Sequence, residues 1–166
     1  MTEQIRAEIV SMLPRLRRFA CALAGNPSEG DDIVQAACEK ALARISQYRP
    51  DTRLDSWMYR IVQNTFLDGR RRHEHRYTSS DEDALAAVTD HGVSAASAYD
   101  RLLLAKVRRE MAELPEDQRA VLALVAIEGL GYREAAEVLE IPVGTVMSRL
   151  ARARAKLKPL SDGAFE

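Results

Sequence analysis

Residues 142–159, PVGTVMSRLARARAKLKP, carry five cations (Arg149, Arg152, Arg154, Lys156 and Lys158) and no acid, in a chain of formal net charge −1. Residues 70–76, RRRHEHR, set four arginines against one glutamate. Between these stretches, residues 78–100 hold five acidic side chains and neither Lys nor Arg. Charge segregated in this way predicts two basic surfaces separated by an acidic connector. Clustered guanidinium and ammonium groups bind polyanions: they neutralise phosphates, and Arg also recognises guanine through two hydrogen bonds. For either patch alone, the competing reading is a solvated basic face, or one that meets an acidic protein.

Other chemistries find no residues to support them. There is no paired nucleophile and base and no Gly-rich phosphate cradle, so no catalytic residue is expected and the chain does not read as an enzyme. His73, His75 and His91 have no C-x-x-C or H-E-x-x-H beside them, so neither a metal nor another cofactor is expected. Cys21 and Cys38 sit in apolar helical patterns and read as small buried residues rather than a disulfide framework. With 166 residues, 46% hydrophobic and 30% charged, the chain can bury a core in one domain or two small ones. No apolar run approaches membrane-spanning length, and the N-terminal MTEQIRAEIVSMLPRL lacks the layout of a secretory signal. The expected location is therefore the cytoplasm, with no membrane segment.

The elements that must carry the basic patches are helices. Apolar residues recur at three and four, with few alternating β-branched runs, so the fold class predicted is all-α. A first helix covers about 3–24, kinked or divided at Pro14, and GNPS ends it. Ser28, with Asp31 three residues on, marks the start of a second helix, whose apolar side runs Ile33/Val34, Ala37, Ala41 and Ile45. A third follows from Asp55 to His75, burying Trp57, Met58, Ile61, Val62 and Phe66. Residues 77–94 are small, polar and acidic and read as a flexible linker. Periodicity resumes through Leu103, Val107, Met111 and Leu114. Pro115 then opens a helix that is apolar on nearly every side and is capped at Gly129. The organisation predicted is two helical domains, 1–76 and 95–160, joined by the linker 77–94.

The last segment has the proportions of a helix-turn-helix: a short helix from Tyr132 to Leu139, a tight turn at EIPV, and a longer helix. Val143, Val146, Leu150, Ala153 and Leu157 form one docking stripe. At ~100° per residue, Gly144, Thr145, Ser148, Ala151, Arg152 and Ala155 face away from it. Small outer residues let a helix backbone approach base edges, so Ser148 and Arg152 are the base-reading candidates. Arg149, Arg154, Lys156 and Lys158 flank the strip, where phosphates would run. Met147 either contacts a thymine methyl or covers the bundle edge.

Two blocks then become specific. DDIVQAACEKAL followed by RLDSWMYRIVQNTFLDGRRR resembles the second conserved domain of bacterial sigma factors. LPEDQRAVLALVAIEGLGYREAAEVLEIPVGTVMSRLARARAKL resembles their fourth. With only these two, in this order, the chain resembles the extracytoplasmic-function (ECF) group of RNA polymerase sigma factors. The resemblance implies a promoter-specificity subunit that binds polymerase core, recognises promoter DNA and assists strand opening. Its implied partners are the β′ clamp and β flap of the core, promoter DNA, and an anti-sigma factor.

The resemblance assigns roles residue by residue. Asp31, Asp32, Val34, Gln35 and Glu39 fall where the family docks on the polymerase β′ clamp helices. The loop from Tyr48 to Leu54 and the helix after it fall where the family captures the melted strand of the minus-ten element, with one base flipped out. Tyr48, Arg49 and Arg53 would there supply charge and stacking, and Ser56, Arg60, Gln63 and Asn64 polar edges. Trp57 has core spacing and is read as packing. Arg70, Arg71 and Arg72 fall on duplex backbone. Thr145, Ser148, Arg149, Arg152, Arg154 and Lys156 match the reader of the minus-thirty-five element. Two rivals stay open: a stand-alone helix-turn-helix regulator, which leaves the DDIVQ and WMYRIVQN blocks without work, and a sigma-like decoy that only sequesters an anti-sigma factor. A last expectation concerns the free chain, whose opposite-sign segments suggest two domains packed together with their DNA surfaces hidden, with help from an anti-sigma protein.

Overall fold

The computed structural model describes residues 1–76 and 97–163, and every regular element among them is helical. The expected linker and its flanks fall outside the described residues. In chain order, α1 (Thr2–Ala24), α2 (Pro27–Ala43) and α3 (Leu54–Arg76) form a first unit. The second comprises α4 (Ala98–Glu113), α5 (Glu116–Leu122), α6 (Tyr132–Leu139) and α7 (Val143–Gly163).

The first unit packs three helices around Leu16, Phe19, Leu23, Ala37, Ala41, Met58, Tyr59 and Val62, all fully buried. Each large apolar side chain among them contributes about 1.5–3 kcal/mol on burial. Pro14 does not divide α1, which runs through it. Pro14 lies on the exposed face, where the Val10 carbonyl that it leaves unpaired can be hydrated, so the usual cost of an internal proline is blunted.

The turn between α1 and α2 is set by two adjacent residues. Gly25 closes α1 at φ 82°, a left-handed conformation, with its N–H donating to the Cys21 carbonyl. Asn26 then caps α2, accepting from the Glu29 N–H at 2.8 Å, with Pro27 in the first turn. The start expected at Ser28 is thus two residues late: Asn26 with Pro27 outcompetes it. Immediately beyond, Gly30 lies against α1. A β-carbon there would stand 2.8 Å from Cys21 Cα and 2.9 Å from its nitrogen. The absence of a side chain is what lets α2 cross α1 so closely.

In the second unit α5 continues, without a break, into a π-turn over Ala123–Ile127. The Glu128 N–H donates to the Ala123 carbonyl five residues back. Gly129 (φ 75°) and a bond from Leu130 N–H to the Leu124 carbonyl finish the helix. The tight turn between α6 and α7 pivots on Glu140 in the left-handed region (φ 56°). From there α7 lays Val146, Leu150 and Ala153 into the core, as its stripe predicts, with Val143 and Leu157 partly buried. The two units are packed together, α6 lying along α3, and α5 and the π-turn meeting α1.

Gly30→Ala tests the α1–α2 crossing. Alanine gains about 1 kcal/mol of helix propensity over glycine, but it must displace backbone rather than a flexible side chain. The net expectation is a loss of about 1–3 kcal/mol, read as a lower unfolding midpoint in urea.

Candidate nucleic-acid interface

The exposed edge of α7 is organised as a strip. Ser148, Ala151, Arg152, Ala155 and Gly144 are exposed, and Thr145 is half-buried beside them. Ser148 returns its hydroxyl to the Thr145 carbonyl (3.1 Å), which keeps the centre of the strip low. Arg154 and Lys156 are exposed on its flanks. Arg149 differs: it is half-buried, with Nε 3.5 Å from Asp117 of α5. Met147 is 52% exposed and so does not cover the bundle edge.

The loop before α3 is closed by its own hydrogen bonds. Tyr48 donates its hydroxyl to the Thr52 carbonyl (2.7 Å). Thr52 binds the Arg49 carbonyl through both its N–H (3.0 Å) and its hydroxyl (2.7 Å). The Tyr48 ring packs on Trp57, centroids 5.3 Å apart. Trp57 is half-buried against the core, as its spacing predicts. Arg53 then forks onto Asp55 (3.1 and 2.7 Å), whose carboxylate also accepts from the Ser56 N–H. Burial acts to raise the Asp55 pKa, but the Arg53 and Ser56 hydrogen bonds and the charges of Arg53 and Arg15 together hold it below the usual carboxylate value. Arg49 and Asp51 stand exposed at the tip.

Four of the ten minus-ten candidates meet the second unit. Arg53 Nη1 lies 2.6 Å from Glu134. Arg60 donates to the Glu137 carbonyl (2.7 Å) and stands 3.9 Å from Glu140. Arg70 pairs with Glu116 at 2.8 Å. Gln63 is buried and lines a cavity of about 440 Å³ between the units, with Glu116, Asp117, Leu139 and Arg149. Asn64, Arg71 and Arg72 remain exposed. Packing of the two units engages Arg53, Arg60 and Arg70, while Arg71, Arg72 and most of the α7 strip stay open.

The acidic face of α2 points outward. Asp31, Asp32, Gln35 and Glu39 are exposed and Val34 is half-buried, so all five of these candidates share one accessible side. Arg17 of α1 binds Asp31, which raises the Arg17 pKa. A cavity of about 470 Å³ between α2 and α3 adjoins this face, lined by Asp32, Ile33, Lys40, Phe66, Arg70 and His73 among others.

Sequence reasoning passed over the residues at the junction itself. The Glu128 side chain is fully buried and receives Arg18 through two bonds (2.8 and 2.9 Å) and the Tyr59 hydroxyl (2.8 Å). Arg119 is 4% exposed, donates to the Ala112 carbonyl, and burial lowers its pKa. One signal was available: Glu128 is an acid at a helix C-terminus, where the dipole disfavours it, and such a placement asks for a cation from elsewhere.

With this geometry in place, comparison with known proteins defines the class. Residues 104–157 match the model of sigma-70 region 4, and residues 9–63 match that of the sigma2 domain of PhyR. The chain is 36% identical over 166 residues to the ECF RNA polymerase sigma factor EcfG of Rhodopseudomonas palustris (strain TIE-1), covering 99% of this chain and 90% of that protein. Its fold is similar to CnrH in complex with the cytosolic domain of CnrY (TM-score 0.70, 26% identity, 98% of this chain and 90% of that one). It is also similar in fold to the sigma factor RpoE in complex with the anti-sigma factor NepR from Bartonella quintana (TM-score 0.76, 24% identity, 96% and 98%). The chain belongs to the ECF RNA polymerase sigma factors.

The loop closure generates a measurable expectation. Tyr48→Phe keeps the ring on Trp57 and loses only the bond to Thr52. Stability should fall by about 1 kcal/mol, and amide exchange at residues 49–53 should quicken while that of the α1 core stays as in wild type.

Proposed function

We propose that the chain confers promoter specificity on RNA polymerase through two DNA surfaces held a fixed distance apart by the core enzyme. In this reading residues 1–76 and 95–160 act as separate domains on the polymerase, with residues 77–94 as the connector. The α7 strip enters the major groove of the minus-thirty-five element. There Arg152 and Ser148 read base edges, Thr145 supports them, and Arg149, Arg154 and Lys156 meet phosphates. The Tyr48–Arg53 loop with Ser56, Arg60, Gln63 and Asn64 takes the melted strand of the minus-ten element. Arg70, Arg71 and Arg72 hold the adjoining duplex backbone.

The exposed α2 face of Asp31, Asp32, Val34, Gln35 and Glu39 docks on the polymerase β′ clamp, offering acceptors to a basic helix, while the second domain meets the β flap. The subunit performs no catalysis itself and works in the cytoplasm. The solved relatives bound to NepR and CnrY support an anti-sigma partner for this chain too.

The observation that carries the reading is the α7 strip: small exposed residues around Arg152, with cations on both flanks, in a chain related along its whole length to a sigma factor. A decoy that only captured an anti-sigma factor would have no use for that strip. Nor would a stand-alone regulator need the acidic face of α2.

Arg152→Ala separates these readings. Losing one two-bond base contact costs about 1–3 kcal/mol. Promoter-specific transcription with purified core should therefore fall roughly five- to 150-fold, while core binding by pull-down is unchanged. Unaltered transcription would remove Arg152 from the reading face.

A further inference from the structure

We propose that Glu128 is a latch that holds the free protein closed, and that the closed form blocks the melted-strand site while leaving the duplex-reading strip available. The first half stands on the junction alone; the second rests on the strand-site reading above.

The latch is a built receptor and its plug. On the first domain, Arg15 and Arg18 of α1 and Tyr59 of α3 converge on one point. Tyr59 is itself fully buried, its ring edge-on to Phe19 (5.3 Å) and under the Arg15 guanidinium (5.7 Å). The plug is the Glu128 carboxylate, with no exposed side-chain surface. It takes Arg18 on both oxygens and the Tyr59 hydroxyl on one, with Arg15 3.8 Å away. Burial, followed by the Glu128 bond, drives the Tyr59 pKa far up, so the phenol stays a donor. The π-turn supplies the aim: its extra residue swings Glu128 away from the plain helical position.

Closure places carboxylates and a carbonyl where a nucleic-acid strand would present its acceptors. Glu134 occupies Arg53, Glu137 and Glu140 occupy Arg60, and Glu116 occupies Arg70. The strand must displace Glu134, Glu137 and Glu140, and the adjoining duplex must displace Glu116. On α7, by contrast, Arg152, Arg154 and Lys156 are exposed, and of the strip's cations Arg149 alone lines the cavity between the units among the described residues. The latch is also reversible by design. Burying an ion pair costs nearly what the attraction returns, so separating the domains and hydrating all the partners is not prohibitive. Removing one partner inside the closed form is another matter, since it strands the rest without compensation.

The experiment uses the full chain. Glu128→Gln and Arg18→Gln each remove one side of the latch. Small-angle X-ray scattering should give both variants a larger radius of gyration than wild type at unchanged helicity. Single-stranded minus-ten DNA should bind each free variant at least about tenfold more tightly than wild type, with minus-thirty-five duplex affinity within about twofold of it. An unchanged radius for both folded variants overturns the latch. A larger radius with unchanged strand affinity overturns the blockade. Should one variant fail to fold, the other decides. Wild-type protein on polymerase core serves as the control for the underlying reading. If it too ignores the strand, the strand site is misplaced, whereas a latch seen by scattering stands.

Discussion

A carboxylate taken out of water keeps its charge only if cations and donors surround it, and much of this molecule is arranged so that Glu128 meets that condition. Two helices of one unit supply the cations and the phenol; the other unit supplies the acid, aimed by a helical irregularity. Neither half is satisfied alone. Around that point, Arg60 and Arg70 of α3 fall opposite Glu140 and Glu116 of the other unit.

The same economy of charge explains a near-neutral total in a DNA-binding protein. Positive charge is concentrated on α7 and along α3, and negative charge on α2 and on the faces of α5 and α6 that turn toward α3. Each sign is thus available for two partners, one inside the molecule and one outside. The balance between them is set by geometry rather than by overall charge, since at physiological salt charges more than about 8 Å apart across solvent are largely screened.

The helices and the α7 stripe were legible in the sequence because period and burial are local: Val146, Leu150 and Ala153 sit where their spacing puts them. The cap of α2 was misplaced because Ser28 and Asn26 are both competent caps, and Pro27 settles the choice. Pro14 was overweighted, since what a proline costs depends on whether the carbonyl it frees is wet. The exposed strip of α7 could be read because it lies on one helix. The engagement of Arg53, Arg60 and Arg70 could not, because their partners lie scores of residues away and belong to a contact between units. Arg119 was hidden because a buried charge looks like any surface charge until its surroundings are known, and Glu128 gave only the hint of an acid at a helix C-terminus.

Trp57 is the chain's single tryptophan, and it sits beneath Tyr48 on the loop that precedes α3. Indole emission from this protein therefore originates at one place, half-buried and in contact with another aromatic ring. A change in its intensity or wavelength reports the state of that loop with no added label, so the molecule carries its own optical probe beside the surface where strand separation would be felt.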